Sequence, residues 1–261
     1  PSASSSRKRA IVGVCREAGV ECKILPATSD LVDGSVSISE IREVDIVDLL
    51  GRSQANLNVD LIRDSIRGKK VMVTGAAGSI GSELCRLIIN INPRRLILLD
   101  SFEYGLYEIE NELREKLKDI ENGEKIEIVA LLGSVCNRVQ MESAIQSFSV
   151  DTVYHVAAYK QVPMVEKNIV EGVQNNIFGT LISAQVAEKY EVRNFVLIST
   201  DKAVRPTNFM GATKRFAEQV LQSIAQGECA TRFSIVRFGN VLGSSGSVVP
   251  LFRKQISAGG P

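Results

Sequence analysis

The stretch from Lys70 to Asp100 constrains this chain more than any other, beginning KKVMVTGAAGSIGSELC and ending RRLILLD. A lysine pair leads into the apolar run Val71, Met72, Val73, and three glycines follow at a spacing of three: Gly75, Gly78 and Gly81. Ser82 to Asn90 has the pattern of a helix, and after Pro93 a second apolar run, Leu96 to Leu99, ends on Asp100. The order is therefore strand, glycine-rich turn, helix, and a strand with an acidic tip. Such a unit suits a dinucleotide, because small residues let the backbone approach a pyrophosphate. The helix N-terminus adds N–H groups and a positive dipole, and an acid nineteen residues past Gly81 is placed for a ribose diol.

From Lys70 onward, short apolar runs alternate with longer amphipathic ones. Strands are predicted at Val71 to Thr74, Leu96 to Asp100, Ile126 to Leu131, Thr152 to Val156, Phe195 to Ser199 and Phe233 to Phe238. Helices are predicted near 80–90, 103–118, 137–147, 169–189 and 209–226. Regular alternation implies an α/β class with a doubly wound parallel sheet covered on both faces. The ligand crevice then lies at the carboxyl ends of the strands. Ahead of this unit, the helix-like Ser6 to Ala18 and a short strand, Glu21 to Leu25, suggest three regions: 1–36 as the tail of an upstream αβ domain, 37–68 as a linker packing on the main domain, and 69–261 as the dinucleotide-binding domain.

Composition removes several function classes. With a formal net charge of +1 there is no electrostatic case for nucleic acid or an anionic membrane surface. The five cysteines are widely spaced and form no CxxC pair, which fits reduced thiols in a cytoplasmic setting. No apolar run approaches the roughly 20 residues of a membrane span. The chain starts at Pro1 without Met, and LFRKQISAGGP stops just after an apparent helix, where a doubly wound domain usually continues. A piece of a longer protein, truncated at the carboxyl end of its domain, is the expectation.

Functional residues should cluster after each strand. Leu132-Gly133-Ser134-Val135 is either a rest for adenine or a plain small-residue turn. Ala157 and Ala158 give a narrow floor suited to a flat ring. His155 is the only histidine, so a Ser-His-Asp relay or a His-based metal site has almost nothing to draw on, and a structural role is expected. Lys160 is placed to reach a substrate phosphate or sugar, or is an ordinary surface lysine. Ser199-Thr200-Asp201-Lys202 puts hydroxyl, carboxylate and ammonium together at a strand end, and Lys214 on the next helix points back to the same crevice.

In that order, TGAAGSIGSELC, HVAAYKQVP, NNIFGT, STDKAVRPTNFMGATKR and VRFGNVLGSSGSVVPLF resemble the extended short-chain dehydrogenase/reductase superfamily. More narrowly, they resemble the nucleotide-sugar 4,6-dehydratases of bacterial polysaccharide biosynthesis, of the long WbpM/CapD type. The resemblance covers about 70–261, and REVDIVDLLGR also fits. It implies that Gly75, Gly78 and Gly81, with Ser79 and Ile80, hold the pyrophosphate, that Asp100 holds the adenosine ribose, and that Ala157 and Ala158 also line the cofactor. Lys214 matches the lysine that binds the nicotinamide ribose. Thr200, Asp201 and Lys202 match the catalytic triplet, while Lys160, Asn176 and Asn240 match substrate-side positions.

The implied reaction oxidises C4 of UDP-N-acetylglucosamine, eliminates water across C5 and C6, and returns the hydride to C6. On that reading Lys202, with a depressed pKa, removes the C5 proton, a protonated Asp201 serves the departing hydroxyl, and Thr200 bonds O4. Keeping Asp201 protonated requires desolvation, which substrate binding supplies.

Departures from the superfamily matter too. Met210 stands where Tyr usually takes the C4 hydroxyl proton, a job a thioether cannot do. Long-form dehydratases resemble this chain in having Met there, and Thr200 and Lys202 are the candidates for that base. Ser134 stands where an Asp often contacts adenine, and Gln161 where His is frequent. Asp100 argues for NAD, with NADP as the alternative cofactor. The competing readings are a UDP-sugar 4-epimerase and a non-catalytic dinucleotide-binding module. The resemblance also implies a UDP-N-acetylhexosamine substrate, a homo-oligomer, and amino-terminal membrane spans outside these residues with this domain on the cytoplasmic side. The piece itself is expected to bind dinucleotide but to turn over sugar nucleotide poorly or not at all.

Overall fold

The structure, a computed structural model, describes residues 5–20, 23–24, 42–43, 59–120, 123–241 and 248–260. The chain divides into two compact units, Pro1–Leu57 and Asn58–Pro261. In the first, helix α1 (Ser5–Glu17) precedes strand β1 (Lys23–Ile24), which pairs antiparallel with β2 (Arg42–Glu43). That pairing joins residues on either side of the division expected between 36 and 37. The rest of the strand expected at Glu21 to Leu25, and most of REVDIVDLLGR, lie outside the described residues.

The second unit opens with α2 (Val59–Ile66), part of the stretch expected as linker, whose Ile66 is buried in the core. There follow β3 (Lys70–Thr74), α3 (Ser79–Ile89), β4 (Arg95–Asp100), α4 (Glu103–Leu117), β5 (Glu127–Leu132), α5 (Arg138–Phe148) and β6 (Thr152–His155). Each predicted strand is found within a residue or so. After β6 come α6 (Val162–Lys167), α7 (Ile169–Val173), a π turn (Gln174–Phe178), α8 (Gly179–Lys189), β7 (Asn194–Thr200), α9 (Phe209–Ala225), β8 (Arg232–Phe238) and α10 (Val248–Ser257). The single helix expected over 169–189 is thus interrupted by the π turn, for a reason found in the site. Among the described residues, no helix is long and apolar enough to cross a membrane.

All six main strands are parallel, in the order β5-β4-β3-β6-β7-β8. Alternation along β3 and β4 decides which side each residue feeds. Met72, Ile97 and Leu99 join Phe195 and Leu197 on one face, under Met141 and Ile145 of α5, Val186 of α8 and Leu221 of α9. Val71, Val73, Leu96 and Leu98 occupy the other face, under Ile88 of α3, Leu113 of α4 and Ile66 of α2. Side chains of this size contribute about 1.5–3 kcal/mol each when fully buried. The strand order reverses between β3 and β6, so their carboxyl ends open a crevice there.

Candidate active site

The glycine turn is shaped by two close approaches. Gly75 has φ +69, and a Cβ there would lie 2.7 Å from the Ala157 nitrogen, so this residue lets the turn press against the segment leaving β6. A Cβ on Gly81 would come within 1.9 Å of the Gly75 carbonyl oxygen, so Gly81 seats α3 on the turn. Gly78 is the N-cap of α3, which has no side-chain cap. A helix N-terminus left without a capping side chain at a crevice is a natural anion seat. Asp100 closes the turn from β4: its Oδ2 accepts the Ala77 N–H at 2.9 Å and its Oδ1 the Phe102 N–H at 2.9 Å.

Thr74, which the sequence did not single out, ties this turn to the β6 exit. Its hydroxyl oxygen accepts from the N–H groups of Val156 and Ala157 at 3.2 and 3.3 Å and lies 3.0 Å from His155 Nδ1. His155 Nε2 lies 3.1 Å from the Thr180 hydroxyl, which itself donates to the Asn176 carbonyl at 2.7 Å. Thr180 has spent its proton, so Nε2 is the protonated nitrogen and Nδ1 accepts from Thr74. Burial, assisted by the nearby Lys214 charge, pushes the imidazole down to about 3. His155 is a neutral bridge between layers.

The cleft at the strand ends has a volume of about 570 Å³, within the range of small-molecule sites. Gly75, Gly78, Ser79, Ile80 and Asp100 line one end; Ala157, Ala158 and Lys160 form the middle; Thr200, Lys202, Met210, Lys214 and Asn240 line the other. Gly81 instead serves packing behind the turn. Phe102, Tyr159 and Asn175 also line the cleft and were missed in the sequence, where an isolated aromatic or a doubled Asn gives no signal of which way it faces.

Asn176, expected on the substrate side, does not reach the cleft. It is fully buried, with its side-chain oxygen accepting from Tyr159 N–H at 2.8 Å and from Asn175 at 3.1 Å. Its side-chain nitrogen donates to the Tyr159 carbonyl and the Thr213 hydroxyl, each at 3.0 Å. Those bonds span the π turn and explain it: the widened turn carries Asn176 inward and leaves Asn175 at the cleft wall. Ser134 spends its hydroxyl oxygen on the Cys136 N–H at 3.2 Å.

The triplet begins on the last residue of β7. The Thr200 hydroxyl donates to Asp201 Oδ1 at 2.9 Å, and Lys202 Nζ lies 3.3 Å from the same oxygen and 3.3 Å from Asn240 Oδ1. The Thr200 bond first, and Lys202 with it, holds the Asp201 carboxyl below the usual carboxylate range. In this state the expected protonated acid is therefore a carboxylate paired with an ammonium, because its side chain is 58% exposed and water supports both charges. Lys214 is the opposite case. It is nearly buried, it donates to the Ile198 carbonyl at 2.7 Å, and burial pushes its pKa down to about 8 against the opposing pull of Glu218. Met210 is buried beside it at the cleft edge.

A parallel sheet of this order, with a glycine turn at its switch point and a nearly buried lysine lining the same cleft as Ala157 and Ala158, is the architecture of the extended short-chain dehydrogenase/reductase class. Within it, the chain belongs to the polysaccharide biosynthesis protein family, whose model matches residues 71–261. It is 43% identical to the capsular polysaccharide biosynthesis protein CapD of Staphylococcus aureus over 261 residues, 100% of this chain and 43% of that protein. It is 33% identical over 195 residues to a UDP-N-acetylglucosamine 4,6-dehydratase (inverting) of Campylobacter jejuni, covering 74% of this chain and 55% of the relative. A UDP-glucose 4-epimerase of Rickettsia prowazekii is also 33% identical over 195 residues, covering 73% and 54%. Among solved structures, Pen from Bacillus thuringiensis matches with TM-score 0.65 and 35% identity over 74% of this chain and 56% of that one. At 22% identity, the Bordetella bronchiseptica enzyme WbmH in complex with NAD+ shares the fold with TM-score 0.58, over 74% and 64% of the two chains. The chain spans 43% to 55% of the length of these curated relatives.

Proposed function

We propose that this chain is the dinucleotide-binding catalytic part of a UDP-N-acetylglucosamine 4,6-dehydratase of surface polysaccharide synthesis, working with NAD. The observation that carries the reading is the Asp201–Lys202 pair at the end of β7: Lys202 lines the same cleft as the glycine turn and Lys214, and Asp201, which is not itself part of the cleft lining, is held against Lys202 Nζ at 3.3 Å. The turn suits a dinucleotide: Gly78 leaves the N-terminus of α3 without a capping side chain at the cleft, and Asp100 stands beside the turn as an acceptor for a ribose diol and a repellent to a 2'-phosphate. When bound, the nicotinamide supplies a hydride acceptor and donor whose redox state is restored within each turnover.

The protein's own residues then handle protons. Lys214 binds the nicotinamide ribose, and Thr200 bonds the sugar O4. When substrate excludes water from the Asp201–Lys202 pair, the cost of desolvating two charges favours moving a proton across the 3.3 Å contact from Nζ to the carboxylate. That single transfer makes Lys202 an amine base for the acidified C5 proton and Asp201 an acid for the departing C6 hydroxyl. It would supply the protonated acid that elimination needs from a carboxyl that its neighbours hold below the usual range in the open cleft.

The reading is tested by incubating UDP-N-acetylglucosamine with the intact protein in heavy water. A dehydratase product loses one water and gains solvent deuterium at C5; an epimerase product does neither. The epimerase remains the second reading because the Rickettsia prowazekii epimerase matches at the same 33% identity as the dehydratase. Asp201→Asn is expected to release water at least about a hundredfold more slowly, the scale of a lost general acid. Normal water release by that variant would remove Asp201 from the role. The location proposed for the domain is the cytoplasmic side of an anchored protein, where sugar nucleotides are made.

A further inference from the structure

Against the cleft wall lies a polar cluster that the chemistry above does not use; of its members, Ser199 lines the cleft and Glu218, Arg215 and Arg237 do not. Glu218, one helical turn after Lys214 on α9, is 0% exposed, yet both its oxygens are occupied. Oε1 accepts from the Ser199 hydroxyl at 2.6 Å and from Arg237 Nε at 2.7 Å; Oε2 accepts from Arg215 at 3.1 Å and from a second Arg237 nitrogen. Burial alone would raise its pKa, but the bonds from Arg237, Ser199 and Arg215 outweigh it and keep the carboxylate ionised. A buried charge persists only when paired in this way.

What the pairing joins is specific. Ser199 on β7 and Arg237 on β8 are register partners, and β8 is at the edge of the described sheet, held by one ladder. Three residues past Ser199 is Lys202, and three past Arg237 is Asn240, and these two meet at 3.3 Å. A Cβ on Gly239 would lie 3.3 Å from Asp201 Oδ2, so the β8 exit also walls the carboxylate. On the same helix, Lys214 holds the carbonyl of Ile198, the neighbour of Ser199.

We infer that Glu218 is a positioning residue: by tying Ser199 to Arg237 it fixes the separation of the β7 and β8 exits, and so the alignment of Asp201 and Lys202 against Asn240. The inference rests on the dehydratase reading of that pair. Glu218 touches neither the cleft nor any reacting atom, and it acts through the two strands it joins.

The test is Glu218→Gln in the intact protein, with Arg237→Lys as a second variant that keeps the Glu218 charge but loses the two-pronged bond. NAD affinity and KM for UDP-N-acetylglucosamine are expected to stay within about threefold of the parent, while kcat falls about tenfold or more, as misplacement of a proton-transfer pair predicts. Reduced nicotinamide absorbance should accumulate in a single turnover, because elimination slows more than C4 oxidation. Crystal structures of parent and variant should show the Lys202–Asn240 contact opened. A kcat within about twofold of the parent overturns the inference, as does a loss of NAD affinity that parallels kcat with no absorbance build-up. If the parent makes no keto sugar, the dehydratase reading falls, and an unchanged Lys202–Asn240 distance in the variant would overturn the positioning role on its own. If Glu218→Gln does not fold, Arg237→Lys decides by the same measurements.

Discussion

Asp100 and Ala77 are joined by a hydrogen bond in which the carboxylate Oδ2 accepts the backbone N–H of the glycine turn at 2.9 Å. The acid at the tip of β4 therefore shapes the turn as well as facing the cleft, and one substitution removes both functions. Charge-assisted hydrogen bonds contribute about 1.5–3 kcal/mol, and each 1.4 kcal/mol is about tenfold in affinity. Asp100→Ala is expected to weaken NAD binding about ten- to hundredfold by calorimetry and to narrow the preference for NAD over NADP. An unchanged preference would show that the carboxylate does not face the ribose.

The glycines of the turn separate into two kinds of position. A Cβ on Gly81 would lie 1.9 Å from the Gly75 oxygen, whereas one on Gly78 would lie 3.3 Å from it. Gly81→Ala must therefore displace backbone and should lower stability by about 1–3 kcal/mol, the usual cost of overpacking. Gly78→Ala should keep a melting temperature close to the parent's and lose dinucleotide affinity instead, since its methyl would enter the cleft at the proposed pyrophosphate seat. Thermal melts and NAD titrations of the two variants check this pair of outcomes. Equal melting temperatures would refute the division.

This division was not legible in the sequence, where three evenly spaced glycines look alike. The strands were legible, because short apolar runs between turn residues leave little choice in a parallel sheet. The places of Asp100, Ala157, Ala158 and Lys202 in the cleft wall were legible from their positions at or just past strand ends, and that of Lys214 from the helix that follows β7. The burial of Asn176 was not legible, because a period of 3.6 cannot foresee the π turn on which its amide meets Tyr159 and Thr213. Thr74 and Glu218 escaped notice for a related reason. Their partners lie 81 and 19 residues away along the chain, and only the assembled sheet brings them together.

His155 gives a prediction that needs no substrate. Burial first, and the Lys214 charge second, put its pKa at about 3, below the ordinary 6.5, so the folded chain carries a neutral ring wherever activity is measured. The unfolded state takes up the proton first as pH falls, so this residue's stabilising contribution is present above 6.5 and is lost on the way down to about 3. With one histidine in the chain, its imidazole signals can be read without ambiguity. NMR should show the Nε2–H tautomer and no titration between about pH 4 and 8. A midpoint near neutrality would mean that water reaches the ring.

Lys214 shows the same linkage with the opposite pH window. Burial lowers its pKa from 10.5 to about 8, while Glu218 pulls the other way. Between these values the unfolded chain binds the proton and the folded chain does not, so stability attributable to Lys214 rises with pH across that interval. Below about 8 the fold must bury an ammonium, and the penalty is at its full size. Lys214→Met removes the buried charge and also its charge-assisted 2.7 Å bond to the Ile198 carbonyl, worth about 1.5–3 kcal/mol, so that the relieved burial penalty and the lost bond offset each other. The variant should thus be close to the parent in stability at pH 7, and the parent should gain on it steadily from about pH 8 to 10.5 in denaturant titrations. A stability difference that stays constant across that range would show that Lys214 keeps its proton in the folded chain, stabilised by more than the two neighbours described. NAD affinity of the variant at pH 7 should fall about tenfold or more, because the proposed ribose contact would be lost even though the fold is retained.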